Sequence, residues 1–143
     1  MIATPDGMKF LDAARLTDQT GHPVRSQYKQ PDEPDVLPPA DAFVVAPATF
    51  NTINKWANGN SDTLALGLLN EATGGGLPIV AAPWLSAALL QHPACQRSIA
   101  DLREWGVDII FDPTHPSPPA GTSAFPWDKL RTALADLLQS LRP

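Results

Sequence analysis

The residues best placed to do chemistry fall in one short run, Thr49-Phe50-Asn51-Thr52, directly after Ala46-Pro47-Ala48. Hydroxyls and an amide stand there at what reads as the start of a helix. The first N–H groups of a helix have no partner within it. With short polar side chains beside them, they can satisfy an anionic phosphate or the polar edge of a flat ligand. Thr49 or Asn51 can equally be a plain helix cap, and a cap with spare valence serves both purposes. A second run, Ala82-Pro83-Trp84-Leu85-Ser86, repeats the Ala-Pro corner and adds a large flat side chain and a hydroxyl. Small residues and a proline without an N–H suit a place where backbone approaches a flat ligand, although a proline there can also do no more than stop a strand. The other reactive residues are scattered: His22, His92 and His115, and the single cysteine, Cys95. Cys95 reads as a small buried apolar residue inside a helix.

Those two runs need elements to position them. Ala42 to Pro47 and Leu77 to Pro83 are short apolar runs ended by proline, and Val107 to Phe111 is a third strand signal. Between them lie helical patterns. Thr49 to Trp56 places Ile53, Trp56 and Ala57 on one face and stops at Asn58-Gly59. Asp62 to Thr73 is leucine-rich, with Ser61 as its cap and Gly74-Gly75-Gly76 as its end. Pro93 suits the first turn of the next helix, which closes at Trp105-Gly106. Leu130, Ala133, Leu134, Leu137, Leu138 and Leu141 keep helical spacing in a last helix over 127–141. Near the N-terminus, Phe10, Ala13 and Ala14 predict a helix over about 9–18, and Val24 to Gln27 a short strand. Strands alternating with helices predict an α/β fold: a three-layer, Rossmann-like arrangement with a mainly parallel sheet and helices on both faces. In such a sheet both Ala-Pro corners share the rim at the carboxyl ends of the strands, where ligands bind.

The 143 residues fit one domain, 1–143, with a proline-rich loop over 112–126 before the last helix. A second proline cluster spans 30–39. The net charge is -5 with a pI near 4.9, which leaves no basic footprint for nucleic acid. One cysteine excludes an intrachain disulfide framework and a multi-cysteine metal cluster, and no metal site is expected. The longest apolar stretch, Leu77 to Leu90, holds two prolines and is too short for a membrane span of about 20 residues. The first seven residues lack the basic and apolar regions of a secretory signal. The expectation is a cytoplasmic protein with no membrane partner.

The run Ala46-Pro47-Ala48-Thr49-Phe50-Asn51-Thr52-Ile53-Asn54-Lys55-Trp56-Ala57-Asn58-Gly59 resembles the P-A-S-A-N-T…K-x-A-x-G signature of the flavin-dependent cysteine decarboxylase superfamily. That superfamily includes phosphopantothenoylcysteine decarboxylases. Further matches follow in order. Asp62-Thr63-Leu64 is similar to its D-x-L helix start, and Ala82-Pro83 to the opening of A-P-x-M-N-x-x-M. His92-Pro93-Ala94-Cys95-Gln96-Arg97 is similar to H-P-A-x-Q-R-N, and Leu102 to Val107 to L-R-x-x-G-V. The resemblance spans roughly residues 4–112. It implies a Rossmann-like flavoprotein that binds FMN through Thr49, Phe50, Asn51 and Thr52, with Ala82 against the cofactor and Thr4 near its phosphate. It also implies a homo-oligomer, a trimer or a multiple of trimers. In the family the flavin oxidises the substrate, so that carbon dioxide can leave; the cofactor carries that chemistry and the protein positions it.

Four departures from the pattern bear on activity. The family's histidine before the P-A-S-A-N-T strand falls here near Glu33, and His92 reads as the residue that starts a helix. The P-x-M-N-x-x-M segment has become Pro83-Trp84-Leu85-Ser86-Ala87-Ala88-Leu89, with leucines for methionines and Ser86 for the asparagine that grips a carboxylate. Trp84 either stacks on cofactor or substrate or fills the core. The family's flap cysteine has no counterpart over 112–126. The family's first strand and phosphate-holding turn have no match, so this chain starts at what resembles the end of the second strand. These departures leave the catalytic residues and the substrate unassigned, with Trp84, Leu85, Ser86 and Leu89 as substrate-side candidates. They yield an FMN-binding relative of phosphopantothenoylcysteine decarboxylase with its decarboxylase residues largely replaced. If active, it is an FMN-dependent carbon–carbon lyase or a related flavoenzyme, on a substrate that the apolar clamp of Trp84, Leu85 and Leu89 makes flatter and less polar. The alternative is a non-catalytic flavin-binding or regulatory subunit acting through protein partners.

Overall fold

Two uncharged runs pair side by side. β1 (Phe43–Ala48) and β2 (Ile79–Pro83) are parallel, with Phe43 opposite Ile79 and Val45 opposite Ala81. β3 (Asp108–Ile109) pairs parallel with β2, giving the order β1-β2-β3. This computed structural model describes residues 1–34, 38–110 and 125–141. All five residues of β2 are buried, as expected of a central parallel strand covered on both faces. On one face lie α2 (Phe50–Ala57), α3 (Leu64–Gly74) and α5 (Pro93–Glu104), which bury Ile79, Ala81 and Ile109 among Ile53, Trp56, Leu69, Ile99 and Leu102. On the other lies α6 (Trp127–Ser140), whose Leu130 packs on Val80 and Ala82. This is the three-layer α/β arrangement that the alternating pattern predicts.

The local stop and start signals act as read. Asn58 and Gly59, the latter at φ 71°, end α2, and only a residue tolerant of the left-handed region fits there without strain. Pro93 opens α5, and its cap is His92, whose Nδ1 accepts the Ala94 N–H at 3.1 Å. The cap of α3 differs from expectation. Thr63, not Ser61, accepts the Leu66 N–H, at 3.3 Å. Ser61 is engaged elsewhere: its Oγ accepts from the Asn70 amide at 2.9 Å. The Tyr28 hydroxyl lies 3.1 Å from the carbonyls of both Ser61 and Thr63. That ring sits so close to Gly67 that a Cβ there would come within 2.1 Å of the hydroxyl oxygen.

Other expectations shift. The helix over 9–18 resolves into a 3₁₀ turn, Gly7–Phe10, and α1 (Ala13–Thr20). Asp12 separates them, because its side chain accepts the Arg15 N–H and caps α1. Phe10 is 87% exposed and belongs to no core. The strand over Val24–Gln27 shrinks to a single parallel bridge, Arg25 with Ile2. The third strand is two residues long, although Ile110 N–H still donates to Ala81 O at 2.8 Å. Most of the 112–126 loop, with His115, lies outside the described residues. Ser86 caps α4 (Ala87–Leu90), a short turn between β2 and α5.

Candidate functional site

The rim at the carboxyl ends of the strands is assembled by the sheet register. β1 does not stop at Pro47; it runs to Ala48, which lies opposite Pro83. Between Val45 and Ala48 the register slips, with three steps in β1 against two in β2. A proline cannot donate to the ladder, and an extra residue beside it forms a bulge. The bulge reverses the side-chain parity. Val45 and Ala48 both join the core under α2 and α5, whereas strict alternation would send Ala48 to the α6 face. The carbonyl of Ala48 then accepts the Trp84 N–H at 3.0 Å. The two Ala-Pro corners therefore stand side by side, and the segments that follow them, 49–52 and 84–86, leave the same rim.

Thr49 is the cap of α2. Its Oγ1 accepts the Thr52 N–H at 3.3 Å and lies 3.1 Å from Thr52 Oγ1. The N–H groups of Phe50 and Asn51 donate to no acceptor among the described residues. Asn51 is exposed, and its amide makes no hydrogen bond within the described residues. The turn is held from below. Asn54 donates to the Phe50 carbonyl at 2.9 Å and accepts from Ser98 Oγ at 2.8 Å. Ser98 is 1% exposed, so α5 holds the first turn of α2 through a buried hydroxyl. Phe50 is fixed from the side by His92, edge-on at 5.5 Å between ring centroids. His92 thereby serves structure twice, as cap and as ring partner.

The second segment splits. Trp84 is half-buried and meets Phe125 edge-on at 5.5 Å, and Phe125 meets Trp127 at 4.7 Å. Leu85 is 4% exposed and sits in the core beneath α2, so it offers a ligand almost no surface. Leu89 is 39% exposed. Ser86 is exposed and its Oγ accepts the Leu89 N–H at 3.4 Å. Ala82 is 2% exposed and packs against α6 with Val80 and Leu130, so its side chain, like that of Leu85, offers a ligand almost no surface. Thr4 is engaged locally: its Oγ1 accepts the Gly7 N–H at 3.0 Å, and its hydrogen bonds stay within its own turn. Glu33 is exposed and accepts the Gln30 N–H, far in sequence from the rim. Cys95 is fully buried inside α5, and burial pushes its thiol pKa up, away from nucleophilic use.

A cleft of about 310 Å³ lies at the other end of the strands, between α6 and the starts of β2 and β3, with Asp108 and Asp136 on its lining. It shares no residue with the rim. Sequence reasoning missed Phe125 and Trp127, which join Trp84 across 41 and 43 positions, and the Asn54–Ser98 pair, which are 44 apart. No local signal marks either grouping.

The sequence profile of the family described as Flavoprotein matches residues 1–137. The chain is 39% identical over 71 residues to a cysteine/cysteine sulfinic acid decarboxylase from an unknown prokaryotic organism, covering 50% of this chain and 19% of that protein. It is 30% identical over 116 residues to the coenzyme A biosynthesis bifunctional protein CoaBC of Bacillus subtilis, covering 77% of this chain and 28% of that protein. The chain thus spans only a minor part of the length of these curated relatives. Among solved structures, the FMN-dependent cysteine decarboxylase TvaF from thioviridamide biosynthesis superposes with a TM-score of 0.72 at 26% identity, over 97% of this chain and 76% of that one. The FMN-dependent cysteine decarboxylase SpaF gives 0.67 at 26% identity, over 94% and 77%.

Proposed function

Because the chain belongs to the Flavoprotein family, we propose that it binds FMN at the rim between the α2 turn and the Ala-Pro corners. The observation that carries the reading is the first turn of α2. There two free N–H groups and the uncommitted amide of Asn51 face outward from a turn locked by Asn54 and Ser98. Such donors fit the carbonyl and ring-nitrogen edge of a flavin, and the dipole of the helix favours negative charge on it. The residues that would hold it are Thr49, Phe50, Asn51 and Thr52; the resemblance alone adds Ala82, against the cofactor, and Thr4, near its phosphate. When bound, a flavin supplies a two-electron acceptor for an organic substrate.

Substrate-side surface comes from Trp84, Leu89 and Ser86, with Leu85 beneath them. The substrate of the whole protein is not assigned. A homo-oligomer, a trimer or a multiple of trimers, follows from the resemblance to the superfamily. Among the described residues no helix is long and apolar enough to cross a membrane. A second reading, a flavin-binding subunit without decarboxylase activity, is favoured by Ser86. Its hydroxyl is engaged as a helix cap where the superfamily pattern has a carboxylate-gripping asparagine, and no histidine lies between His22 and His92.

The test is a visible absorption spectrum of the purified chain before and after incubation with FMN and gel filtration. Flavin that co-elutes with the protein is the expected result; protein that stays colourless refutes the reading. Carbon dioxide release from a thiol-bearing carboxylate by the flavin-loaded protein would then separate the enzyme from the non-catalytic subunit.

A further inference from the structure

The aromatic rings beside the rim have more exposure than pinning a helix requires. Phe125 packs on Val80, Ala82 and Leu130 and so secures the start of α6 to the sheet. Its neighbours are not used up in the same way. Trp84 is only half-buried, and Trp127 is 51% exposed. The rings follow one another at centroid distances of 5.5 and 4.7 Å, within the range at which aromatic rings attract. The series starts at the rim itself, because the Trp84 N–H is bonded to Ala48, the residue before the α2 cap. One side of the rim is therefore polar, made of Thr49, Asn51 and Thr52. The other is a neutral aromatic wall.

We infer that this wall is the specificity surface of the flavin site, and that the substrate carries an uncharged group of aromatic size next to its reacting end. The inference rests on the flavin reading above. A flat apolar group laid on exposed indole faces is removed from water and gains aromatic contact. A small aliphatic acid gains little there. A carboxylate on that group would lose hydration with no partner among the rings, so acidic side groups are selected against.

The experiment uses the full chain loaded with FMN. Two probes with the same carboxylate, 3-phenylpropanoate and butanoate, are titrated while flavin absorbance and tryptophan emission are followed. The expected result is binding of 3-phenylpropanoate about tenfold tighter than butanoate, from the aromatic contact. Trp84→Ala is expected to remove most of that advantage and Trp84→Phe to restore part of it. Trp127→Leu, at a half-exposed position, gives the same reading if Trp84→Ala fails to fold. Equal affinities for the two probes in a flavin-loaded native chain overturn the inference and leave the flavin reading standing. Loss of flavin from Trp84→Ala assigns that ring to the cofactor and also overturns it. Failure of the native chain to retain flavin at all overturns the reading and the inference together.

Discussion

Asn51→Asp separates the ligand role of the α2 turn from its structural role, because the two respond with opposite signs. The Asn51 amide has no hydrogen-bond partner among the described residues, so replacing it breaks no internal contact. The first turn of α2 holds no acidic residue. A carboxylate there meets the positive end of the helix and stabilises the flavin-free protein by about 0.3–1 kcal/mol. For a chain of this size, that raises the melting temperature by roughly 1–3 °C. Toward FMN the same change is harmful. It removes a donor amide, worth about 0.5–1.5 kcal/mol. It also sets a negative charge against the electron-rich carbonyl edge of the flavin, at a cost of at most about 0.8 kcal/mol, the value for two full charges 5 Å apart in water. The sum is about 0.5–2.3 kcal/mol, or roughly 2- to 50-fold in Kd. Flavin fluorescence titration at low and high salt measures it, since only the charge part shrinks with ionic strength. Asn51→Ala supplies the hydrogen-bond part alone. An unchanged FMN affinity, or a lower melting temperature in the flavin-free variant, would refute the placement of Asn51.

The supports of that turn give further predictions. Ser98→Ala breaks a hydrogen bond to Asn54 at a position 1% exposed and should cost about 1 kcal/mol in a urea melt. Asn54→Ala should cost more, because it also removes the side-chain bond to the Phe50 carbonyl, and a Ser98→Ala melt matching the native one would discount the link. His92→Ala removes both a cap and the ring partner of Phe50, with an expected loss of about 0.5–2 kcal/mol; His92→Asn should recover the cap part. Cys95 should label with iodoacetamide only as fast as the protein unfolds, and fast labelling of the native chain would contradict its burial. Burial raises its thiol pKa above the ordinary 9.0, so the folded state holds the proton longer than the unfolded one. The resulting contribution is full below about pH 9 and is lost as pH rises further, which denaturant melts at rising pH would detect and Cys95→Ala would abolish.

The parts of the fold set by neighbouring residues were legible in the sequence. Asn58-Gly59, Pro93 and Trp105-Gly106 stop and start helices through backbone preferences of a few adjacent residues, and all act where they were read. The parallel pairing of the two Ala-Pro strands was legible from their hydrophobic runs and the helices between them. Choices between near-equal local candidates were not. Ser61 and Thr63 are both fit to cap α3, and the contacts that engage Ser61 come from Asn70 and Tyr28, one of them 33 residues away. The N-terminal helix was read through Leu11 and Asp12 because its apolar spacing continued, but the Asp12 side chain bonds Arg15 and restarts the chain there. The grouping of Trp84 with Phe125 and Trp127 depends on where α6 docks, which no window of sequence contains.

The candidate site joins these two kinds of information at one irregular point. Pro47 was legible as the end of a strand, yet a proline that only ends a strand would leave Ala48 unpaired. Instead β1 continues for one residue beyond it with a slip in register, and Ala48 is fully buried opposite Pro83. Without the extra residue, the parity of β1 would place Ala48 on the α6 face, and the Thr49 cap would leave the sheet on the wrong side of α5. Phe50 could then meet neither His92 nor the Asn54–Ser98 pair that fixes the turn. The bulge is thus the feature that sets a locally specified cap beside a globally assembled aromatic wall, and the single hydrogen bond from Trp84 to Ala48 is where the two meet.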